Sequence, residues 1–522
     1  MLQGIFQQLR FVLLNRHLEL ALGVLTVSVL LQLTHSFCTY LSRPKNVRIL
    51  SKPYSPLTWF KNFDFILNAP RTILRGYQDR GHAQAFAIPS LGEYTVLACT
   101  EDDIKAVCDI DEPVLSFPEA MTDRLKNYWT MYGFQVGDID PHSSIPMRVI
   151  KVLLRMHLPV LRPVIESRIR QGFEKALGKG CRVDGYTSVS TYMLSRTVID
   201  EMNVRIILGD ELSEKPGCVD TAIRYTEDVV VTAEICRQLP SILTPVIAPL
   251  MMGYRRSMQK LADFITPVVN ERIRRQLTMD TSKTYDDCIQ WIIESSRTPA
   301  QRATKRLVGQ TIGILMASSY QMSMTLVYVL YALCHHPEYI PPLRDEITRE
   351  RHNQSEDPFK KMYLLDSFLL EVARLNPPEA LTVQKKVKLP FTLPSGVYIP
   401  PGNLIAVPHQ ARARNPDIFP NPDQFDARRF LPKHEQQCET EAIAKFTDVS
   451  YRYLYWGPPK KACPGRWYVS HALKQVIVHM LMNYDFKLEN KSDTGVFSWT
   501  TIIFPSPTSR ILFRRRERSS GN

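Results

Sequence analysis

The stretch YWGPPKKACPGRW, residues 455–467, holds a single cysteine in a stiff and basic loop. Three prolines fix the backbone φ angle on both sides of Cys463, and Gly465 lets the chain approach another group closely. A helix beginning near Arg466 would point its N-terminal N–H groups toward the sulfur, which favours the thiolate. The loop therefore predicts a thiolate held in a fixed direction.

Cys463 is open to three interpretations. A lone cysteine is usually a small buried hydrophobic residue. A redox thiol would want a partner cysteine close by, but none of the ten cysteines forms C-x-x-C. A soft metal centre with cysteine as its sole protein ligand fits the loop better, and haem iron is the main such case.

The loop resembles the haem-binding loop of the cytochrome P450 family, which reads aromatic-Gly-x-Gly-x-basic-x-Cys-x-Gly. It departs from that pattern at Pro459, where the family usually has glycine. The residues that match, and that the resemblance implies as cofactor-binding, are Trp456, Gly457, Lys461, Cys463 and Gly465.

Two further family motifs precede the loop in the expected order. DSFLLEVARLNPPEAL contains E-x-x-R as Glu371 and Arg374, and FDARRF places Arg429. E-x-x-R alone has little specificity, because i,i+3 ion pairs occur on many helices. By the resemblance, these three side chains form a charged hydrogen-bonded cluster behind the haem loop. The similarity covers roughly residues 45–515.

The sequence of the rest of the chain predicts a fold that is mainly α with a minor β part. The longest helical pattern, Arg306–His336, has apolar residues at three- and four-residue steps and no internal proline, so it should cross the core. A hairpin is expected within Ala83–Cys99 and short strands after Pro377. By the resemblance, residues 45–522 form one catalytic domain with the cytochrome P450 fold.

The N-terminal segment, residues 1–44, predicts a membrane anchor at about residues 20–41. Leu18–Leu41 is mostly apolar, and a span needs about 20 such residues. More basic residues follow it than precede it, which favours a cytoplasmic body. A buried or interfacial helix is the alternative.

The net charge of +13 is spread along the chain. No motif that binds the grooves of a nucleic acid accompanies it, so no nucleic-acid partner is expected.

The resemblance implies haem b with Cys463 as axial ligand, O2, and electrons from NADPH through NADPH-cytochrome P450 reductase. Localisation at the endoplasmic reticulum membrane and a hydrophobic small-molecule substrate are also implied. The candidates for steering the reductase are Lys460, Lys461, Arg466 and Lys474, with a solvated basic face as the alternative. The candidates for the haem propionates are Lys461, Lys385, Lys386 and Arg148.

The central helical pattern departs from the family at its proton relay. In MASSYQMSMT, Ser318 lies at a small-residue position, Tyr320 at the acid position and Gln321 at the alcohol position. Neither Tyr320 nor Gln321 delivers protons at neutral pH as a carboxylate–hydroxyl pair would. One interpretation is that serines in this stretch hold a chain of water molecules that replaces the relay. Another is that the enzyme uses its oxidant for coupling, ring formation, desaturation or rearrangement. Alternatively, both residues only shape the pocket.

Substrate contacts are proposed by position alone. Val229–Tyr254 is expected to form a lid over the pocket and to touch the membrane. The candidate lining residues, each with plain core as the alternative, are Met202, Ala380, Leu381, Thr382, Thr501 and Ile502.

The sequences of these motifs most resemble those of fungal microsomal enzymes that modify terpenoid, polyketide or indole products. The expected function is thus a haem-thiolate monooxygenase acting on a secondary-metabolite intermediate. The rivals are oxidative coupling or rearrangement by the same fold, and a non-catalytic haem-binding partner or sensor.

Overall fold

The computed structural model of the chain describes residues 42–50, 58–79, 84–90, 93–110, 112–134, 144–239, 241–280, 282–353, 357–432 and 444–517. The expected anchor, about residues 20–41, lies outside the described residues, and the division of the chain at residue 44 stays a prediction.

Helices make up most of the described chain, and the expectation of a mainly α fold with a minor β part is confirmed. The α-helices are α1 (Thr58–Gln78), α2 (Glu101–Asp109), α3 (Phe117–Leu125), α4 (Asn127–Thr130), α5 (Ile145–Arg148), α6 (Arg155–Gly178), α7 (Thr191–Leu208), α8 (Asp210–Ser213), α9 (Cys218–Arg237), α10 (Thr244–Arg255), α11 (Ser257–Leu277), α12 (Cys288–Ser295), α13 (Thr304–His335), α14 (Ile340–His352), α15 (Tyr363–Leu375), α16 (His409–Arg412) and α17 (Arg466–Asn483). A π-helical segment, Val149–Leu154, joins α5 to α6, and the 3-10 turns are Ser241–Leu243, Pro337–Tyr339, Pro358–Lys361, Pro459–Lys461 and Lys491–Asp493.

The strands are short and form two main sheets with two small hairpins. They are β1 (Arg48–Ile49), β2 (Phe86–Ser90), β3 (Glu93–Leu97), β4 (Leu115–Ser116), β5 (Cys181–Val183), β6 (Tyr186–Ser190), β7 (Thr382–Val387), β8 (Phe391–Thr392), β9 (Tyr398–Ile399), β10 (Leu404–Val407), β11 (Tyr484–Leu488), β12 (Val496–Trp499), β13 (Ile502–Pro505) and β14 (Arg510–Arg515). The larger sheet has the order β1-β2-β3-β10-β7-β4, and the second has the order β11-β14-β6-β5.

Local chemistry explains where the elements begin and end. Thr100 caps α2 by accepting a hydrogen bond from the Asp103 N–H at 3.1 Å, and three acidic residues fill the first turn, as the helix dipole favours. Ser190 caps α7 in the same way. Gly209 ends α7 with a φ of +89°, a conformation that favours glycine.

The central helix α13 crosses the core as predicted. It is 32 residues long and contacts α7, α9, α11, α12, α15 and α17. Among the described residues it is the one helix that is long and apolar enough to cross a membrane, but 72% of its most apolar window is buried inside the protein. Its apolar character therefore reflects its place in the core.

Candidate active site

The loop around Cys463 is closed by its own backbone. The Cys463 N–H donates to the carbonyl oxygen of Trp456 at 2.7 Å. Gly457 has a φ of +85°, a left-handed conformation that disfavours any side chain. The Lys461 N–H donates to the carbonyl oxygen of Pro458 at 3.0 Å. These contacts leave the cysteine at the tip of a rigid turn.

Pro459 fits the loop although the family pattern has glycine there. It begins the 3-10 turn Pro459–Lys461, and the first residue of such a turn has no intrahelical use for its N–H. Proline also has a φ suited to that position. The departure therefore changes the turn chemistry without changing the direction of the chain.

Aromatic side chains fasten the loop to the core. Trp456 is buried, and its indole N–H donates to the carbonyl oxygen of Phe446. Tyr455 packs edge-on against Trp456, and its hydroxyl lies 3.0 Å from Thr325 Oγ1 on α13. The loop is thus tied directly to the central helix.

The start of α17 influences the sulfur as the sequence predicts. Burial raises the pKa of the Cys463 thiol above its usual range, whereas N–H groups of Gly465 and Arg466 and the Arg466 charge act in the opposite direction. The Arg466 guanidinium itself is held by the carbonyl oxygens of Cys463 and Thr447, at 3.0 Å and 3.2 Å. A ligand cation at the sulfur would complete the stabilisation of the thiolate.

One face of α13 remains accessible inside the fold. Gly313, Ala317, Gln321 and Thr325 repeat every four residues and so share a face. Gly313 lies against the Phe134 ring and Thr325 against Tyr455. Between these two contacts Ala317 and Gln321 are exposed, although most of the helix is buried. A cleft therefore runs along α13 beside the Cys463 loop.

The donor set at this cleft fits haem iron. No group of three or more His, Cys, Asp or Glu side chains in the described part of the chain could hold a metal ion. A metal at Cys463 would thus have one protein ligand and would need its remaining ligands from a macrocycle, as in haem-thiolate centres. Gly465 lies next to the sulfur, since a Cβ built on it would be 3.9 Å from the Cys463 Sγ.

Glu371, Arg374 and Arg429 form a buried cluster. Arg374 binds the Glu371 carboxylate in a bidentate pair at 2.7 Å and 2.8 Å. Arg429 Nε donates to both oxygens of the same carboxylate at 3.1 Å. Arg374 also donates to the carbonyl oxygens of Ala413 and Pro422. The cluster fixes α15 to the segment that leads to the loop.

The three relay candidates take different positions on α13. Ser318 donates to the carbonyl oxygen of Leu315 at 3.0 Å. Tyr320 is partly buried and packs against Phe504 of β13, and burial raises its pKa further above the usual range. Gln321 lies on the accessible face. The structure therefore places Gln321 in the cleft, with Tyr320 at its side.

Several cations proposed for the reductase or the haem propionates have other partners. Lys474 is buried and pairs with Asp366 at 2.7 Å, so it cannot steer a partner protein. Lys385 caps the end of α2 through the carbonyl oxygens of Val107, Cys108 and Ile110. Lys386 binds the carboxylates of Glu93 and Asp123. Of the reductase candidates, Lys460 and Lys461 are the exposed ones.

Most of the proposed lining residues are buried. Met202 has no accessible surface and packs in the main core, as the plain-core alternative expects. Ala380, Leu381, Thr501 and Ile502 are also buried. Ala380 and Thr501 are joined by a backbone hydrogen bond, which brings the two proposed wall segments together.

Two ion pairs, one fully buried and one partly buried, were missed by the sequence analysis. Arg196 and Asp200 on α7 form an ion pair at 3.1 Å without any accessible surface. Arg124 on α3 pairs with Glu379, which also accepts a hydrogen bond from Thr501. Charged residues within the otherwise apolar α7 pattern were the signal that could have revealed the first pair.

Comparisons with known proteins identify the family. The family model described as Cytochrome P450 matches residues 75–513. Among curated relatives, the Cytochrome P450 monooxygenase olcJ of Penicillium canescens is 29% identical over 78% of this chain and 77% of that protein. The Cytochrome P450 monooxygenase paxP of Penicillium paxilli is 27% identical over 87% of both chains.

A solved structure, retinoic acid bound cyanobacterial CYP120A1, shares the fold with a TM-score of 0.64. It is 15% identical and matches 85% of this chain and 94% of its own. The thiolate loop, the E-x-x-R cluster and the family match agree, and the chain belongs to the cytochrome P450 monooxygenases, a family of oxidoreductase enzymes.

Proposed function

We propose that the protein binds haem b with Cys463 as axial ligand and oxidises a hydrophobic small molecule. The observation that carries the proposal is the Cys463 loop, which Tyr455 joins to the accessible face of α13, together with the lack of any group of three or more metal-ligating side chains among the described residues. With a thiolate ligand, haem supplies the activation of O2. The proposed cofactor-binding residues are those of the loop, Trp456, Gly457, Lys461 and Gly465, with Glu371, Arg374 and Arg429 as its support.

The residues of this chain provide orientation, shielding and proton supply. The closed backbone of the loop fixes the direction of the sulfur, and buried Trp456 anchors the loop through its bond to Phe446. Ala317 and Gln321 form the wall of the cleft on α13, and a hydrophobic substrate would lie against them. Ser318, Tyr320 and Gln321 are the proposed catalytic residues for positioning water and moving protons.

The substrate is proposed to be an intermediate of fungal secondary metabolism, of terpenoid, polyketide or indole type. Similarity to the Penicillium monooxygenases olcJ and paxP supports this class. Electrons would come from NADPH through NADPH-cytochrome P450 reductase. Lys460 and Lys461, exposed on the loop, suit an acidic partner.

The proposed location is the endoplasmic reticulum membrane, with the catalytic domain in the cytosol. The predicted anchor supports this location, and so does an apolar surface on the lid. On the 3-10 turn and α10, Ile242 is 74% exposed, Leu250 66% and Tyr254 87%. Exposed apolar surface of this kind marks an interaction with a membrane or a partner.

The test is expression of the full chain with the reductase, followed by incubation with candidate intermediates under 18O2. We expect NADPH-dependent product carrying one labelled oxygen. Cys463→Ala should abolish the thiolate-type absorption of the reduced carbonyl complex, whereas Cys181→Ala, at an exposed cysteine on β5, should leave it unchanged. An unaltered spectrum in Cys463→Ala would disprove the axial ligand.

A second candidate function is oxidative coupling, ring formation, desaturation or rearrangement. It is favoured by α13, which contains neither Asp nor Glu and has Gln321 on its accessible face. Consumption of NADPH and O2 with an oxidised product that carries no label would select this candidate. Lack of any substrate-dependent consumption would support a non-catalytic haem protein.

A further inference from the structure

The central helix has no carboxylic acid of its own. None of the 32 residues of α13 is Asp or Glu. A proton that reaches the cleft must therefore pass through water or come from a neighbouring element. At neutral pH neither the phenol of Tyr320 nor the amide of Gln321 replaces a carboxylic acid as a proton source.

A carboxylate lies directly behind α13, on α7. Asp200 is fully buried, and Arg196, one helical turn before it, is its ion-pair partner at 3.1 Å. The Ser319 hydroxyl of α13 faces the Asp200 carboxylate, and neither carboxylate oxygen has a hydrogen-bond partner among the described protein groups. Burial raises the pKa of Asp200, while the Arg196 charge and the nearby Ser319 hydroxyl lower it, with a net upward shift. Asp200 is thus an acid that holds its proton more firmly than usual.

Tyr320 connects this pair to the cleft. The guanidinium carbon of Arg196 lies 5.8 Å from the centre of the Tyr320 ring. On another side the same ring packs against Phe504 of β13, and the residue keeps accessible surface. Tyr320 therefore packs against the buried ion pair and, as the chain neighbour of Gln321, keeps part of its own surface accessible.

Arg196 has unused hydrogen-bond donors. Its Nη2 donates to Thr226 Oγ1 at 2.6 Å and to the Ile223 carbonyl oxygen at 3.2 Å. Its Nε and Nη1 have no hydrogen-bond partner among the described protein groups. Buried polar groups left unpaired by protein are normally satisfied by ordered water. Water at these two nitrogens would join Asp200 to Tyr320.

A second carboxylic acid connects the pair to the surface. Glu227 on α9 is half-buried, burial raises its pKa, and it interacts electrostatically with Arg196 and Asp200. It is close enough to interact with both members of the ion pair, and it keeps accessible surface. The titratable and charged groups that face Asp200 from the surrounding elements are Tyr192, Arg196, Glu201, Glu227 and Tyr468, and Tyr320 faces Arg196.

We infer that Asp200, positioned by Arg196, supplies protons to the cleft through water and the Tyr320 hydroxyl, and that Glu227 returns them from solvent. Each carrier gives one proton and takes one, so the chain is unchanged after each transfer. The inference rests on the proposed oxygenation. It places the carboxylic acid that supplies the protons on α7 instead of on α13. Asp200 acts through other groups and is a positioning residue, whereas Tyr320 reaches the cleft.

The test compares Asp200→Asn with Glu201→Gln, its buried neighbour, which pairs with Lys175 at 2.7 Å. Asp200→Asn should lower product formed per NADPH by about tenfold, less than the loss of a direct acid catalyst because water partly replaces it. In the natural protein this ratio should fall as pH rises through the raised pKa of Asp200. The fall should vanish in Asp200→Asn and persist in Glu201→Gln.

Infrared spectroscopy of the resting protein gives a readout independent of turnover. The carbonyl stretch of a protonated carboxylic acid should be present, titrate with pH, disappear in Asp200→Asn and remain in Glu201→Gln. Tyr320→Phe, at a partly accessible site, should reproduce the tenfold loss if Asp200→Asn folds poorly. Equal product ratios and pH profiles in Tyr320→Phe and the natural protein would overturn the inference. Absence of oxygenated product in the natural protein would instead reject the proposed function and leave the infrared result standing.

Discussion

Gln321 occupies the accessible face of α13, one turn from Ala317 and one turn from Thr325. Its amide can hold a water molecule by donating and accepting hydrogen bonds, but it has no proton to pass on at neutral pH. A hydroxyl at this position could both hold the water and conduct a proton. We therefore expect Gln321 to limit the fraction of electrons that is converted to product.

Gln321→Thr should raise the yield of product per NADPH by a few-fold, within the range of general acid–base effects. The measurement is product, hydrogen peroxide and NADPH consumption in parallel. Thr311→Val, at a buried hydroxyl on α13 that bonds to Leu307, serves as a control for altering the helix elsewhere. An unchanged ratio in Gln321→Thr would show that the position only shapes the cleft.

His409 predicts an acid sensitivity of the fold. Burial and then the Arg412 charge lower its pKa to about 4, so the folded protein keeps this imidazole neutral. The unfolded chain binds a proton near pH 6.5, and stability is therefore lost as pH falls from about 6.5 toward 4. The loss is up to about 3 kcal/mol for this single group.

His409→Gln should flatten the decline of unfolding free energy between pH 7 and pH 4, measured by denaturant titration at a series of pH values. His352→Gln, at an exposed histidine at the end of α14, is the matched control and should keep the slope of the natural protein. Identical slopes in both variants would rule out His409 as the source.

The residues of the Cys463 loop could be predicted because short-range chemistry determines them. Three prolines, a glycine that allows close approach and a helix start are all visible in the sequence. Arg196 and Asp200 were not recognised, since an i,i+4 ion pair on a helix is normally exposed. Lys474 was misplaced for the converse reason, because the buried partner Asp366 lies more than a hundred residues away in the chain.

At the level of elements, the contact between α15 and the segment before the loop depends on one carboxylate. Glu371 receives hydrogen bonds from Arg374, Arg429 and the Asp426 N–H. Both arginines in turn hold backbone carbonyls of the intervening segment. Loss of the negative charge would leave two cations uncompensated around it.

Glu371→Gln should lower the free energy of unfolding by about 3–5 kcal/mol, as expected when one partner of a buried ion pair is removed. Asp423→Asn, which breaks an exposed pair with Arg414, should cost less than about 1 kcal/mol. The measurement is denaturant unfolding, with haem retention as a second readout. Similar losses in the two variants would contradict a special role for the cluster.

The elements themselves were largely predictable from periodicity. The central helix was expected at 306–336 and is found at Thr304–His335, because apolar spacing fixes its type and a proline ends it. The pairing of β3 with β10 and β10 with β7 was not predictable. β3 and β10 are about three hundred residues apart in the chain, while β7 and β10 are separated by the hairpin of β8 and β9, and local propensity carries no information about such partners.

For the whole molecule, two of the exposed apolar surfaces on the described chain bear on its partners. One is the lid surface of Ile242, Val246, Leu250 and Tyr254. The other is a stripe of Val152, Met156 and Val160, beside Arg155, which stacks on Trp467 next to the loop. Because Arg155 is positively charged, we expect the second surface to bind an acidic protein. The lid surface is the candidate for contact with lipid.

The full chain in lipid vesicles should be labelled on the lid surface by a lipid-borne photoreactive probe. Changing Ile242, Val246 and Leu250 together to serine should reduce labelling of this segment severalfold, because each loses apolar area that favours the bilayer. The matching triple change at Val152, Met156 and Val160 should leave lid labelling intact. If the lid stays unlabelled while the N-terminal segment is labelled, the lid does not touch the membrane, and substrate must enter from water.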